Sequence, residues 1–407
     1  MSYKRYTHNL IIKNSNEVLK NVVINRENSI TSIKAVDNLD PDINYPRQII
    51  IPGLINLHCH LVYTGIRTQS KSLFPWISEL VKIQQMEEAD LPSPNSLGAT
   101  LNRALAGAKQ ALSYGTSYLI ENSNQPLESF KAMKAAGLKG LIGIEVFGSD
   151  PEQAQKIFSN TLSVMDSLPE DPNIQFTLSP HASYDVSSAL WRLCQRWCDE
   201  HQVPLLTHVA ESTAEEAWFK DSQSAQAQSA KDFWASINTL DVKLKHWKPY
   251  PSSIQYLHAN NMLSDNMLIT HAVHASREDL EILKSYGAKL INCPRSNIYL
   301  GNGLPDYDLW QELGMNWALG TDSEASNYNL DLRAEANAIA RLNAKQRFEL
   351  ITSKAASILG RKDLGVINDG VDSDYVVLEI LDNDIDLDAC DPFELVMDTE
   401  ITRIKGI

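Results

Sequence analysis

The first fifty residues alternate apolar and polar positions in short runs, HNLIIKN, VLKNVVINR, SITSIKAV and RQIIIPG, broken at Asn, Asp, Gly and Pro. A period of two belongs to a strand with one buried face, so four short β-strands are expected here. From residue 52 to about 360 the pattern changes. Short apolar runs (LINLHCH, TSYLIEN, LKGLIGIEVFG, IQFTLSPH, VPLLTHVAE, NMLITHAVH, AKLINCPRS, NWALGTDS) alternate with helical stretches such as LGATLNRALAGAKQALSYG and SREDLEILKSYG. Eight strand candidates, most followed by a helix, predict an α/β fold, either a parallel barrel or a doubly wound sheet. After residue 363, LGVINDGVDSDYVVLEI returns to strand character. The two ends are therefore expected to meet in a small composite β-sandwich (1–51 and 363–407), with 52–362 as the catalytic domain. The polar stretch DSQSAQAQSAK (221–231) reads as a loop or mobile helix end. LWRLCQRWCDE reads as a helix that packs Cys194 and Cys198 rather than offering them to a metal.

Polar residues at the strand ends decide between the two architectures. His58 and His60, Glu121, Glu145, His181, His208 and Glu211, His271, Asn292 and Arg295, and Asp322 all fall at the C-terminal end of a strand candidate. In a (β/α)₈ TIM-like barrel that is the face where catalytic groups collect. A nucleotide-binding doubly wound sheet needs G-x-G-x-x-G after its first strand, and none is present. The barrel is the expected fold.

Composition narrows the function. The chain has 407 residues, 43% hydrophobic and 21% charged, as in ordinary globular proteins. A net charge of −15 opposes binding to nucleic acid or an anionic membrane and suits a small-molecule substrate. The N-terminus lacks the apolar core of a signal peptide, and no apolar run is long enough to span a bilayer. A cytoplasmic protein with reduced thiols is expected, and a homo-oligomer is compatible with all of this.

The chemistry centres on INLHCH. On a strand, His-x-His aims both imidazoles at one point. His208, His271 and Asp322 add imidazoles and a carboxylate at neighbouring strand ends, a donor set for Zn²⁺ or Fe²⁺. Buried hydrogen-bonded histidines are the competing reading; the company of Glu211 and Asp322 favours a metal. Glu211, three residues after His208, lies on the same strand-end loop beside that metal, and a metal lowers the pKa of water from about 15.7 toward 7. The cytidine-deaminase arrangement needs P-C-x-x-C, and no C-x-x-C occurs.

PGLINLHCH, SPHASYDVS, THVAES, THAVH, CPRSN and GTDSEASNYNLDLRAE, in this order, resemble the amidohydrolase superfamily over nearly the whole chain. The likeness is to its aminohydrolase branch, which includes triazine hydrolases, guanine deaminases and deaminases of S-adenosylhomocysteine, methylthioadenosine or aminodeoxyfutalosine. That resemblance implies one divalent metal, zinc before iron, on His58, His60, His208 and Asp322. It implies that His271 contacts water at the metal, that Glu211 shuttles the proton, and that His181 meets the substrate. It further implies a hydrolytic deaminase of an aminated purine-like ring, with Asp322 also moving a proton. Binuclear relatives carry a lysine on the fourth strand, where IQFTLSP has none. Departures from the pattern are Asn292 for a common His, Ser183 for a common Pro, and Gln85 where methylthioadenosine deaminases place a ribose-gripping Glu. Glu79, Glu87 or Glu88 could take that role. SLFPWISEL and EVFG resemble stretches of aminodeoxyfutalosine deaminases.

Trp76 and Phe74 can wall a pocket for a flat heterocycle. Glu145 can contact the substrate or pair with a neighbour. Arg295 is expected to tie loops together, and Trp234, Trp247 and Trp310 to pack. The alternatives are hydrolysis of a C–N or C–Cl bond on a triazine or other heterocycle, and a barrel that binds without catalysis. Metal analysis with an ammonia-release screen separates them.

Overall fold

The computed structural model describes residues 4–26, 30–35, 43–90, 95–368, 373–386 and 389–406. The N-terminal alternation folds as β1 (Lys4–Asn14), β2 (Glu17–Arg26), β3 (Ile30–Ala35) and β4 (Ile43–Pro52). Eight strands follow: β5 (Leu54–Cys59), β6 (Thr116–Ser123), β7 (Lys139–Val146), β8 (Ile174–Pro180), β9 (Leu205–Val209), β10 (Met267–His271), β11 (Lys289–Asn292) and β12 (Trp317–Leu319). Each coincides with one of the expected apolar runs. The chain ends with β13 (Tyr375–Ile380) and β14 (Thr402–Gly406). The 369–372 part of the expected C-terminal strand segment lies outside the described residues.

The eight central strands form a closed ring. They run in the orders β5-β6-β7-β8 and β9-β10-β11-β12, with parallel ladders from β7 to β8 and along β9 to β12. A parallel bridge between Ala182 and His208 joins the end of β8 to β9, and one between Cys59 and Asp322 closes β12 onto β5. The fold is therefore a (β/α)₈ barrel. Its strands are buried on both faces, which is why they read as continuous apolar runs.

Two compact units make up the chain. One comprises 1–57, 109–119 and 330–407 and contains a six-stranded sheet of order β14-β13-β4-β1-β2-β3. There β13 runs antiparallel to β4, pairing Leu378 with Ile49, while β1 runs parallel to β4, pairing Leu10 with Ile49. Alternate residues of β13 are buried, and Ile11, Ile50 and Ile367 pack as one core cluster. The other unit comprises 58–108 and 120–329 and carries every candidate site residue.

Two local outcomes differ in interest. Ser276 and Asp279 form a capping box that starts the helix Arg277–Ser285, as SREDLEILKSYG predicts, and Gly287 beyond it takes φ +70°. The 221–231 stretch is a turn that leads into a helix start. A 3₁₀ turn at Ala225–Ala227 runs into the helix Gln228–Ser236, which buries Ala230, Phe233 and Trp234. Its apolar stripe lies mostly beyond residue 231, so the polar start hid it. All five cysteines are free, and Cys194 and Cys198 are buried within the helix Ser188–His201. Among the described residues no helix is long and apolar enough to cross a membrane.

Candidate metal centre and active site

Parallel strands present their C-terminal ends to one side, so residues distant in sequence converge there. Alternation on β5 turns His58 and the following His60 inward, with Cys59 buried between them. Three other strand ends turn sharply: Ala210, His271, Ala272 and Asp322 all adopt positive φ, at 53°, 76°, 46° and 57°. Such backbone costs about 1–3 kcal/mol per residue and persists where its surroundings hold it. Here they do. Asp322 N–H donates to the His58 carbonyl at 3.0 Å, Ala272 N–H to the Val209 carbonyl at 3.0 Å, and His274 N–H to the Ala210 carbonyl at 3.0 Å.

The donor atoms come close together. His58 Nε2 lies 3.2 Å from His208 Nε2 and 3.8 Å from Asp322 Oδ1, while His60 Nε2 lies 3.7 Å from the same oxygen. The sets His58/His60/Asp322 and His58/His208/His271 each have ligand atoms within 4.8 Å of one another, all buried. Tetrahedral ligands about 2.0–2.2 Å from a zinc ion sit roughly 3.3–3.6 Å apart, so this spacing fits a single small divalent cation. Burial first, and then repulsion from neighbouring imidazoles, hold His58 and His208 well below the ordinary histidine pKa. At neutral pH they are uncharged rings with lone pairs available.

Hydrogen bonds set which nitrogen offers that lone pair. His208 Nδ1–H donates to the His181 carbonyl at 2.7 Å, leaving Nε2 free to ligate. His58 Nδ1 lies 2.8 Å from the Asn122 side-chain amide, and the other end of that amide is 3.0 Å from Ser179 Oγ. With the amide oxygen turned toward Nδ1–H, His58 Nε2 becomes a ligand as well, and Ser179 can partner either end. Asp322 is braced by Ser323 N–H at 2.8 Å on Oδ1, and by Ser296 and Ser326 hydroxyls at 2.5 and 2.9 Å on Oδ2. Gly320 lets this strand pass β5: a Cβ there would lie 2.6 Å from His58 Cβ and 2.7 Å from its nitrogen.

Beside the cluster stands Glu211. Its Oε2 is 3.6 Å from His271 Nε2, and Asn302 donates to its Oε1 at 3.2 Å. Burial, reinforced by the charges of Asp322 and Glu215, raises its carboxyl pKa well above the usual range. That shift favours the protonated form, from which the group can give a proton. His271 Nδ1–H donates to Asn297 Oδ1 at 2.9 Å, which aims a lone pair at Glu211. Glu215 accepts from the Ala210 and Glu211 N–H groups at 2.9 and 2.8 Å and from the Ser183 hydroxyl at 2.9 Å.

A cavity of about 410 Å³ opens over this floor. His60, His208, His271, Asp322, Glu211, Glu145, His181 and Trp76 all line it, and His58 lies behind them. Trp76 is buried, its Nε1–H donating to the Ala325 carbonyl at 3.1 Å. His181 Nδ1 is 2.7 Å from Asp185 Oδ2. Burial works against a charge on His181, but Asp185 outweighs it and raises the pKa to about 9. Glu145 Oε1 is 3.8 Å from His60 Nδ1; that nitrogen and Glu145 Oε2 make no hydrogen bond among the described residues.

Several expected positions fall elsewhere. Gln85 is exposed, and its neighbour Gln84 lines the cavity instead. A helix turns about 100° per residue, so adjacent positions of this helix face different surroundings. Glu79 accepts from Gln69 N–H at 2.7 Å and Ser70 N–H at 3.1 Å and serves that loop. The side chains of Glu87 and Glu88 lie outside the described residues. Glu121 accepts from Leu61 N–H at 2.9 Å and from the Ser129 hydroxyl at 2.9 Å, below the cavity. Phe74 packs behind the wall against Tyr184 and Trp234, whereas Trp234, expected only to pack, lines the cavity. Asn292 donates to the His271 carbonyl at 2.9 Å and accepts from Tyr307 at 2.8 Å, bracing a strand end. Arg295 bonds Asn329 at 2.8 Å. Sequence reading missed Asn122, Asp185, Glu215, Lys243 and Asn302. Only Glu215 had a local signal, the S-x-x-E of a helix start at Ser212.

A model of the amidohydrolase family matches residues 49–404. The chain is 27% identical over 348 residues to a 5′-deoxyadenosine deaminase of Methanopyrus kandleri, covering 82% of this chain and 73% of that one. It is 26% identical over 349 residues to a 5-methylthioadenosine/S-adenosylhomocysteine deaminase of Nitratidesulfovibrio vulgaris, covering 82% and 72%. Among solved structures, Helicobacter pylori aminofutalosine deaminase in complex with methylthio-coformycin superposes with a TM-score of 0.78 at 23% identity, covering 99% of this chain and 97% of that one.

Proposed function

Because the chain belongs to the amidohydrolase family, a family of metal-dependent hydrolases, we propose that it is a hydrolytic deaminase. Its substrate is an adenosine-type nucleoside, whose 6-amino group leaves as ammonia while the ring carbon gains oxygen. The observation that carries this reading is Glu211: a buried carboxyl whose pKa burial raises, 3.6 Å from His271 and beside the His/Asp cluster, on the floor of a largely apolar cavity. A ring that must accept a proton before water can add to it needs such a group.

His58, His60, His208 and Asp322 hold one divalent ion in this reading, zinc being the ion that best suits imidazole and carboxylate donors together. That ion supplies Lewis acidity, which makes water nucleophilic at neutral pH. The remaining work belongs to side chains. Trp76 and the apolar residues near it stack the flat ring and exclude water. Glu211 protonates the ring nitrogen adjacent to the amino-bearing carbon, making that carbon electrophilic. Asp322 takes a proton from the attacking water and passes it to the departing amine. His271, its lone pair fixed by Asn297, accepts a hydrogen bond from the O–H of the adding water and orients it. His181, cationic beside Asp185, meets a polar substrate group, and Glu145 faces the same space.

Metal-replete protein incubated with 5′-deoxyadenosine, methylthioadenosine, S-adenosylhomocysteine and aminofutalosine tests the reading by ammonia release and the appearance of the 6-oxo ring. Turnover of at least one is expected. Reaction with chlorinated or alkylamino triazines alone would overturn the nucleoside assignment.

A further inference from the structure

Two buried polar residues tie together the loops that carry Glu211 and His181. Ser183 lies in the turn after β8, two residues beyond His181, and Glu215 lies in the first turn of the helix Thr213–Lys220, four residues beyond Glu211. Glu215 has no exposed surface and Ser183 almost none. The Ser183 hydroxyl donates to Glu215 Oε1 at 2.9 Å, the same oxygen accepts from Ala210 N–H at 2.9 Å, and Oε2 accepts from Glu211 N–H at 2.8 Å. Proline, the common residue at position 183 in the pattern this chain resembles, has no hydroxyl to give. The bond between the loops therefore follows from this chain's own departure.

These bonds fall on a strained turn. Ala210 holds φ +53°, a conformation that a residue with a side chain keeps only under restraint, and Glu211 follows it directly. His274 N–H secures the Ala210 carbonyl, while Glu215 accepts the N–H groups of Ala210 and Glu211. The β8 side is pinned separately: His181 N–H donates to the Val146 carbonyl at 3.1 Å, and Ala182 N–H to Asp185 Oδ1 at 3.1 Å. Ser183 is thus the fixed end of the link, and the turn at Glu211 is the end it holds. Only a carboxylate suits this place. Each of its oxygens takes a backbone N–H, whereas an amide would set its NH₂ against one of them, donor to donor. Burial raises the Glu215 carboxyl to about 7; the N–H donors and the Ser183 hydroxyl oppose that rise and favour the anion, which accepts on both oxygens.

We propose that Ser183 and Glu215 are a positioning pair that aims Glu211 for proton transfer, by clamping its turn to the loop of His181. The inference rests on the deaminase reading above and adds two residues that the chemistry there does not use. Neither lines the cavity over the His/Asp cluster, so they act on turnover through the groups they hold. Proton transfer depends steeply on reach: a displacement of about 1 Å can cost on the order of 10²-fold in rate.

The test compares Glu215→Gln and Ser183→Ala with the wild type as zinc-loaded protein, using the four nucleosides named above as probes. Steady-state kinetics are read together with amide hydrogen exchange at Ala210 and Glu211. Glu215→Gln is expected to lower kcat by about 10–100-fold with KM within about threefold, and Ser183→Ala to lower kcat by about 3–10-fold. Ser183→Thr, which keeps the hydroxyl, should restore most of that loss. Exchange should rise in Glu215→Gln and in Ser183→Ala. In Glu211→Gln protein, adding Glu215→Gln should cost less than about threefold more in kcat, because no acid is left to position. A full further loss in that background assigns Glu215 to general stability and overturns the proposal. Unchanged kcat or unchanged exchange in Glu215→Gln overturns it too, as does a folded Ser183→Thr protein no better than Ser183→Ala. Metal content and thermal unfolding show whether each variant has folded, and the milder Ser183→Ala decides if Glu215→Gln has not. If the wild type releases ammonia from none of the four nucleosides, the deaminase reading fails, and exchange alone then decides whether the pair clamps the turn.

Discussion

Replacing Glu211 by Gln separates a proton-transfer group from a structural one. The amide is nearly the same size as the carboxyl, and its oxygen can still accept from Asn302, now at 3.2 Å. Ground-state interactions should change by at most one weak hydrogen bond, about 0.5–1.5 kcal/mol, or up to roughly tenfold in KM. The loss in the transition state is larger. Burial, Asp322 and Glu215 favour a proton on Glu211 that an amide cannot give, and general acid–base catalysis is typically worth about 10²–10⁴-fold, or roughly 3–5 kcal/mol. The four proposed metal ligands are untouched, so metal content should stay at the wild-type value. Steady-state kinetics and elemental analysis on the same preparation read all three quantities. A metal-replete Glu211→Gln protein with near-normal kcat would refute the proton-shuttle role. Loss of metal would instead assign Glu211 to bracing the loop after β9.

Elemental analysis of protein purified without chelator should find close to one divalent ion per chain, and His208→Ala should lose metal and turnover together; two ions, or none after supplementation, contradict the single-ion site. Asp185→Asn should bring the His181 pKa down from about 9, because burial alone favours the neutral ring. Proton NMR titration of the His181 ring reads this, and a ring that stays cationic at pH 8 in the variant would show that Asp185 is not the cause. Gly320→Ala forces a methyl against the His58 backbone, 2.7 Å from its nitrogen, and should cost about 1–3 kcal/mol of stability together with metal affinity. Unchanged thermal unfolding and unchanged metal content would disprove that close approach. Since burial holds the His58 and His208 pKa values below the normal range, protons compete for these ligands only in acid, and bound metal should be retained at pH 6 on dialysis.

What could be read from the chain alone was whatever depends on local periodicity. A parallel strand buried on both faces writes itself as an apolar run, so all eight barrel strands were visible, as were the polar residues that terminate them. His58 and His60 were assigned to one point because strand alternation requires it, and the capping box at Ser276 announced a helix for an equally local reason. Tertiary structure decided everything that depends on how strand ends face one another. Asn122 meets His58, Asp185 meets His181, and Asn302 meets Glu211 across 64, 4 and 91 residues of chain; even the nearest of these pairs lies on a turn, where no repeating pattern points to its partner. Gln84 rather than Gln85 reaches the cavity because a helix face shifts by about 100° at each residue, and its phase is set by packing. Lys243 carries no signal in LDVKLKH, and only the fold buries it beside Trp234 with its Nζ on the Tyr184 carbonyl. Periodicity reports which side of an element is buried; the electrostatics of a site depend on distances between elements, and those arise only when the barrel closes.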